Sequence, residues 1–133
     1  MSTLSTANIT SKAANTPPVI KDVNGTECGT FCRAWVNFNG TGTVAIRASF
    51  NVSSITDYGT GHYGVNFTTS MTDADYVTIG TQRGTSMATA NGVMAVEISS
   101  TDAPTASAVR VWSKGPGGSG VHDATAVCIA IFR

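Results

Sequence analysis

Apolar and polar residues alternate along two neighbouring stretches of the chain, on either side of a glycine-rich run. The apolar or small positions are Cys32, Ala34, Val36 and Phe38 in the first stretch and Val44, Ile46, Ala48 and Phe50 in the second. A two-residue period is typical of half-buried β-strands. The run Asn39-Gly40-Thr41-Gly42 lies between the stretches and supplies residues that tolerate the positive φ angles of a tight reversal. The pattern therefore predicts a β-hairpin.

The rest of the chain continues in short apolar segments separated by turns rich in Gly, Asn, Asp and Pro. The predicted strands lie near 31–38, 43–50, 52–57, 62–69, 75–81, 92–99, 107–113 and 124–132. Short strands at this spacing favour an all-β fold, an antiparallel β-sandwich of the jelly-roll-like kind. Residues 93–99 and 124–132 are apolar on both parities, which indicates strands covered on both faces, with a second subunit as one cover.

The first 30 residues differ from the remainder in pattern. Leu4 and Ile9 are the apolar anchors of one short strand predicted within residues 1–10. Pro17-Pro18 cannot donate backbone hydrogen bonds and so lies outside a central strand. We expect residues 1–30 to form an extended N-terminal arm with one short strand and irregular chain after it, and residues 31–133 to form the β-sandwich domain.

Charge and hydropathy exclude several classes of function. Lys plus Arg equals Asp plus Glu at 8 each in 133 residues, so the chain lacks the basic excess that nucleic-acid binding requires. A low charged fraction of 12% favours self-association instead. The chain contains no apolar stretch long enough to span a membrane and no pattern of a secretory signal, so we expect no membrane insertion and synthesis in the cytoplasm.

Cysteine and histidine do not predict a metal or cofactor site. Cys28, Cys32 and Cys128 are odd in number, and without a secretory signal we expect reduced thiols. A zinc site starting at Cys28 and Cys32 would need further ligands from distant Cys128, His62 or His122. His62 follows Gly61, and His122 lies two residues after Gly120. For both histidines, a solvent-exposed loop position is the simpler interpretation.

Catalytic motifs are incomplete, so we do not expect an enzyme. The run Gly84-Thr85-Ser86-Met87-Ala88-Thr89 resembles the segment around the nucleophilic serine of subtilisin-like proteases, but the accompanying His and Asp motifs are missing. The aspartates lie in predicted turns, where carboxylates accept backbone hydrogen bonds. These turn positions are Asp57, Asp73, Asp75, Asp102 and Asp123. Nothing in the sequence fixes two of them across a cleft, as glycosidase chemistry requires.

Aromatic residues carry the binding prediction. Those within strand runs are assigned to the core: Trp35, Phe38, Phe50, Phe67 and Phe132. Those in or beside loops are Tyr58, Tyr63, Tyr76 and Trp112. Sugar rings pack on aromatic faces, and we predict a receptor-binding, glycan-directed surface from Tyr58, His62, Tyr63, Trp112 and His122. The alternative is that these aromatic residues pack against adjacent subunits, because interfaces are enriched in Tyr and Trp.

The region that contains the first hairpin also resembles a known family. The run Ala34 to Arg47, Ala-Trp-Val-Asn-Phe-Asn-Gly-Thr-Gly-Thr-Val-Ala-Ile-Arg, is similar to a module of tail-fibre and other virion proteins of tailed bacteriophages, especially marine ones. The resemblance continues through 49–57, 64–68 and 128–133, and residues 2–9 resemble the start of such fibres. It implies a non-enzymatic virion protein, assembled in the host bacterial cytoplasm as a homotrimer.

The resemblance leaves the position in the particle open. It implies a tail fibre or tail-tip component that takes part in host attachment, contacts other virion proteins through the N-terminal arm, and binds a host cell-surface glycan. The alternative is a capsid decoration protein or head fibre that stabilises the particle. A third interpretation, a cellular lectin-like domain, would require glycan binding without a virion that contains the chain.

Overall fold

The computed structural model describes residues 18–84, 95–115 and 120–133. The chain divides into two compact units, with the division after Phe31. Two sequence features lie wholly or largely outside the described residues: the strand predicted within 1–10 and the protease-like run from residue 85 onward.

The described part of the first unit is a small hairpin. Strand β1 (Ile20–Lys21) pairs antiparallel with β2 (Glu27–Gly29). Between them, Asp22 Oδ1 accepts the backbone N–H groups of Asn24 and Thr26 at 2.9 and 2.8 Å, and Gly25 has a φ of +82°. Irregular chain was expected here, but an Asp side chain followed by Asn-Gly supplies a turn that closes two strands.

The second unit contains all eight of the strands predicted for the sandwich domain. They are β3 (Cys32–Asn39), β4 (Ala45–Phe50), β5 (Val52–Asp57), β6 (His62–Phe67), β7 (Val77–Arg83), β8 (Ala95–Ile98), β9 (Ala108–Lys114) and β10 (Ala126–Phe132). Sheet I has the order β4-β3-β10-β7 and sheet II the order β5-β6-β9-β8, with every neighbouring pair antiparallel. The predicted all-β antiparallel sandwich is confirmed, with the two four-stranded sheets that a jelly-roll-like organisation implies.

The core fills the space between the two sheets. Alternate residues of β3, β6, β9 and β10 point inward, as the two-residue period requires. The buried hydrophobic residues on these strands are Ala34, Val36, Phe38, Tyr63, Val65, Phe67, Val109, Val111, Val127, Ile129 and Ile131. Phe38 and Phe67 were assigned to the core, and their burial confirms this.

Trp35 and Phe50 were also assigned to the core, and for them the prediction was wrong. Their side chains are 40% and 55% exposed. Trp35 has the opposite parity to Ala34 and Val36, which point inward, so it points away from the core. Ala34, Trp35 and Val36 are all apolar, so residue type alone could not show which of their side chains point toward the core.

Two Phe–Tyr pairs connect the sheets. The rings of Phe38 and Tyr63 meet edge to face with centroids 5.1 Å apart, and those of Phe67 and Tyr76 do so at 5.7 Å. The Tyr63 hydroxyl, in sheet II, lies 3.0 Å from Gly40 O and 2.8 Å from Asp123 Oδ1, beside the strands of sheet I. A Cβ atom at Gly40 would lie only 2.5 Å from that hydroxyl, so glycine is required for this approach.

The second pair makes the reciprocal connection. Tyr76 immediately precedes β7 of sheet I, and its hydroxyl lies 3.0 Å from the carbonyl oxygens of Thr105 and Ala108, at the start of β9 in sheet II. Burial raises the pKa of Tyr76 to about 12, and burial together with the Asp123 carboxylate raises the pKa of Tyr63 further. Both tyrosines are therefore neutral hydrogen-bond donors over the whole physiological range.

Candidate functional site

On the outer face of sheet II, a tyrosine ring packs against a glycine. Tyr58 follows β5 in a turn in which Asp57 Oδ1 accepts the Gly59 N–H at 2.9 Å. A Cβ atom at Gly64 of β6 would lie 2.9 Å from Tyr58 Cε2, so the ring packs where any other residue would place its side chain. The ring is 46% exposed. Gly64 thus makes room for the Tyr58 ring on the outer face of the sheet.

A cation covers the Tyr58 ring and is itself held by a carboxylate. Arg110 is the register partner of Gly64 on β9, and its Cζ lies 4.0 Å from the centroid of the Tyr58 ring. Arg110 Nη1 donates to Asp102 Oδ1 at 2.7 Å. The hydroxyls of Thr101 and Ser99 also donate to Asp102, and these bonds with that from Arg110 hold the pKa of Asp102 below its ordinary value. The acceptor therefore stays ionised at neutral pH.

The aromatic surface continues along the same face. His62 is the register partner of Trp112, and their rings meet edge to face at 5.7 Å, while the His62 ring lies 5.3 Å from that of Tyr58. Lys114 Nζ lies 4.9 Å from the centroid of the Trp112 ring. His62 Nε2 is buried without a hydrogen-bond partner among the described residues, 3.9 Å from Asp102 Oδ2. We call this set the aromatic cluster: Tyr58, His62, Asp102, Arg110, Trp112 and Lys114.

The structure brings together three of the five predicted binding residues: Tyr58, His62 and Trp112. Tyr63 is a correction, because its side chain is fully buried in the core. It has the same parity as Val65 and Phe67, and this alternation was the signal for an inward side chain. His122 contacts this region through its backbone, whose N–H donates to Ser113 O at 3.0 Å.

Four residues of the site were not predicted from the sequence. Arg110 and Lys114 flank Trp112 at a spacing of two, so strand alternation alone places them on its face. Gly64 interrupts an otherwise regular strand, which is a signal of close approach by another group. Asp102 could not be found this way, because a loop after β8 carries it to β9.

The aromatic cluster combines features of a carbohydrate-binding surface. Aromatic faces and polar groups lie side by side, with an ionised acceptor at Asp102 and guanidinium donors at Arg110. Two other aspartates serve turns, as predicted: Asp57 binds the Gly59 N–H and Asp73 the Asp75 N–H. Asp123 instead accepts the N–H of Gly61, which is 62 residues away along the chain, and so joins two loops. Within the described ranges, no group of three or more His, Cys, Asp or Glu side chains is placed to hold a metal ion.

The outer face of sheet I is different in composition. Register partners place Phe50, Trp35, Ala130 and Ile79 in one row across all four strands. Val77 and Ile79 on β7 are 60% and 55% exposed. Between the aromatic residues on one side and Ile79 on the other runs a groove of about 410 Å³, with Cys128 and Ala130 of β10 on its floor. We call this surface the apolar face: Trp35, Phe50, Val77, Ile79, Cys128 and Ala130.

Comparisons with known proteins place neither surface in a described family. The chain matches no family model, no curated protein and no solved structure. The described residues include no helix that is long and apolar enough to cross a membrane. The functional conclusion therefore rests on the geometry of the two surfaces and on the resemblance noted in the sequence.

Proposed function

We propose that this chain is a non-enzymatic bacteriophage virion protein, a tail fibre or tail-tip component that assembles as a homotrimer and attaches to a glycan on the host surface. The observation that carries the proposal is the aromatic cluster on the outer face of sheet II. The N-terminal arm contacts other virion proteins in this proposal.

The composition of the aromatic cluster supports attachment rather than catalysis. Trp112 and the exposed part of the Tyr58 ring, which Arg110 partly covers, offer apolar area, while Asp102 and Arg110 offer an acceptor and donors within the same surface. The gap of 3.9 Å between His62 Nε2 and Asp102 Oδ2 exceeds hydrogen-bond reach, so the two do not form an oriented acid–base pair.

Several linked copies would bind a polysaccharide more tightly than one copy does. An open platform of this kind leaves one side of the sugar in water, so each contact is weak. Linked copies that engage a polysaccharide together gain avidity through their effective concentration. Trimeric assembly, as the resemblance implies, supplies such copies.

Glycan binding tests the proposal directly. Purified protein should bind at least one member of an array of bacterial surface polysaccharides, and Tyr58→Ala with Trp112→Ala should abolish that binding. Tyr58→Phe, which keeps the ring, should retain most of it. Val23→Thr, at an exposed residue of the β1–β2 turn, is the matched control and should bind as wild type does. Equal binding by wild type and the double variant would refute the role of the cluster.

The apolar face favours a second candidate, a capsid decoration protein or head fibre, because such proteins bury an apolar surface against neighbours. Labelled antibody against the chain, viewed by electron microscopy on virions that carry it, separates the two. Few copies on the tail support the fibre, whereas many copies on the head support decoration. Glycan binding by a protein that no virion carries would favour a cellular lectin-like domain.

A further inference from the structure

We infer that the apolar face of sheet I is the surface on which a second copy of this chain packs. The inference deepens the self-assembly named in the proposed function, and it rests on that part alone. It depends on the relief, area and charge of the face, and it is independent of what the aromatic cluster binds.

The shape of the apolar face is suited to packing against another sheet. Trp35 and Phe50 form a ridge on β3 and β4, and Ile79 with Val77 forms a second ridge on β7. Small side chains on β10 leave the groove between them. Side chains of facing sheets interdigitate in this way, with ridges of one seated in grooves of the other. A second copy carries the ridges that this groove requires.

The exposed area is adequate for a stable contact. The four large side chains, Trp35, Phe50, Val77 and Ile79, are between 40% and 60% exposed and together offer on the order of 400 Å². Each partner of a standard-size interface buries about 800 Å², so these side chains would supply about half of that area, and flanking polar and small residues of the four strands would supply the rest. An apolar centre with an arginine-containing rim is the usual anatomy of such an interface.

The charges at the two ends of the face favour a copy of the same chain. Arg47 donates to Thr125 O, and the Thr125 hydroxyl donates to Arg83 O, so two arginines flank the start of β10. At the opposite end, Asp73 and Asp75 precede β7.

The opposite end is balanced in charge, so the cationic excess lies at the arginine end. Arg33 and Arg133 lie near Asp73 and Asp75, and Arg133 Nε donates to Asp73 Oδ1 at 2.9 Å. A second copy that packs in the reversed direction places this balanced end on the arginine end, so arginines do not face arginines. The 8 cations and 8 anions of the whole chain do not oppose such a pair.

Analytical ultracentrifugation of the full chain tests the inference. Wild type should sediment as two or more chains, and Ile79→Lys should weaken association by at least about thirtyfold, because a buried unpaired charge is costly at an interface centre. Ile79→Thr keeps a β-branched side chain and should weaken association less. Val23→Lys, at an exposed apolar residue of the β1–β2 turn, is the matched control and should associate as wild type does.

A cysteine on the groove floor gives a second measurement that needs no change in the face. In a Cys28→Ser, Cys32→Ser protein, Cys128 is the remaining thiol. Its rate of reaction with a thiol reagent should fall as protein concentration rises, since packing covers it.

The outcomes separate this inference from the attachment proposal. A wild type that remains a single chain at all concentrations, a Cys128 reactivity independent of concentration, or an unchanged assembly in folded Ile79→Lys would each overturn it. Glycan binding per chain should survive Ile79→Lys. Loss of the assembly with binding intact supports the inference, whereas loss of binding by the cluster variants with assembly intact concerns the aromatic cluster alone.

Discussion

The two outer faces of the sandwich cover one core, but they differ in how their side chains interact. On sheet II, Tyr58, Arg110 and Asp102 hold one another through a stacked guanidinium and a 2.7 Å hydrogen bond. On sheet I, Trp35 and Ile79 are exposed on either side of a groove. Strand alternation fixes which residues point outward on both sheets, and it leaves their chemistry free to differ. The two faces can therefore serve separate purposes, recognition on one and assembly on the other.

The largest expected effect comes from the shared interior. Phe38→Ala removes the edge-to-face contact with Tyr63 and leaves a cavity between the sheets, so we expect a loss of about 3–5 kcal/mol in the free energy of unfolding. Chemical denaturation measures it, and both faces should fail together. The matched control is Phe50→Ala, the same change on the apolar face, which should alter the unfolding of the isolated chain by only about 0.5 kcal/mol. Equal losses would show that the two positions do not differ in burial.

A glycine substitution should disrupt the face of sheet II alone. Gly64→Ala places a Cβ atom 2.9 Å from Tyr58 Cε2, which must displace the ring from Arg110 at a cost of about 1–2 kcal/mol. Glycan binding should be lost while the sedimentation behaviour is unchanged. Adding Tyr58→Ser should recover stability but not binding, because it removes the clash together with the ring. A loss of stability that persists in the double variant would contradict this reason.

The Tyr76 connection between the sheets should give a smaller, pH-dependent effect. Tyr76→Phe should cost about 1 kcal/mol at neutral pH, since Ala108 O keeps other hydrogen bonds and Thr105 O loses this one. The pKa of Tyr76 is raised to about 12 in the folded state, so the contribution of the neutral hydroxyl is present below pH 10 and is lost as pH rises toward 12.

Stability measured from pH 9 to about 12 should therefore fall less steeply in Tyr76→Phe than in wild type. Tyr63 also ionises at high pH, so part of the slope remains in the variant. An identical slope in both proteins would show that Tyr76 does not contribute to it.

The smallest effect is expected in acid. Because hydrogen bonds from Thr101, Ser99 and Arg110 lower the pKa of Asp102, its ionised form stabilises the fold above the unfolded value of about 3.9, and this is lost as pH falls further. Asp102→Asn should flatten the dependence of stability on pH below about 4, and should weaken glycan binding. Asp73→Asn is the control: the pKa of Asp73 is likewise lowered, first by Arg133, but its loss should leave glycan binding unchanged.

The order of the strands along the chain was predictable because strands of this length show the two-residue hydrophobic period in the sequence. Alternation from Cys32 to Phe38 and the Asn-Gly-Thr-Gly reversal predicted the β3–β4 hairpin, and the register confirms the pairing. The sheet order was not predictable, because it places β10 between β3 and β7 through contacts distant in sequence. The pattern of a single strand carries no information about such neighbours.

The candidate site shows the same limit at the level of single residues. Tyr58 and Trp112 were predicted from residue type and position, and their juxtaposition depends on the pairing of β6 with β9. Tyr63 was misassigned because tyrosine is suited both to a surface and to a core in which a carbonyl oxygen accepts a hydrogen bond from its hydroxyl. Trp35 was misassigned for the converse reason, since an apolar type was taken to mean burial.

The pairing of Cys32 with Phe132 defines one pole, or end, of the domain. The chain enters β3 and leaves β10 side by side at one pole, next to the start of β7. His62 begins β6, and Lys114 ends β9, at the other pole, where the Gly61 N–H reaches Asp123 ahead of β10. Tyr58, His62 and Trp112 therefore lie toward the pole of the domain opposite Cys32.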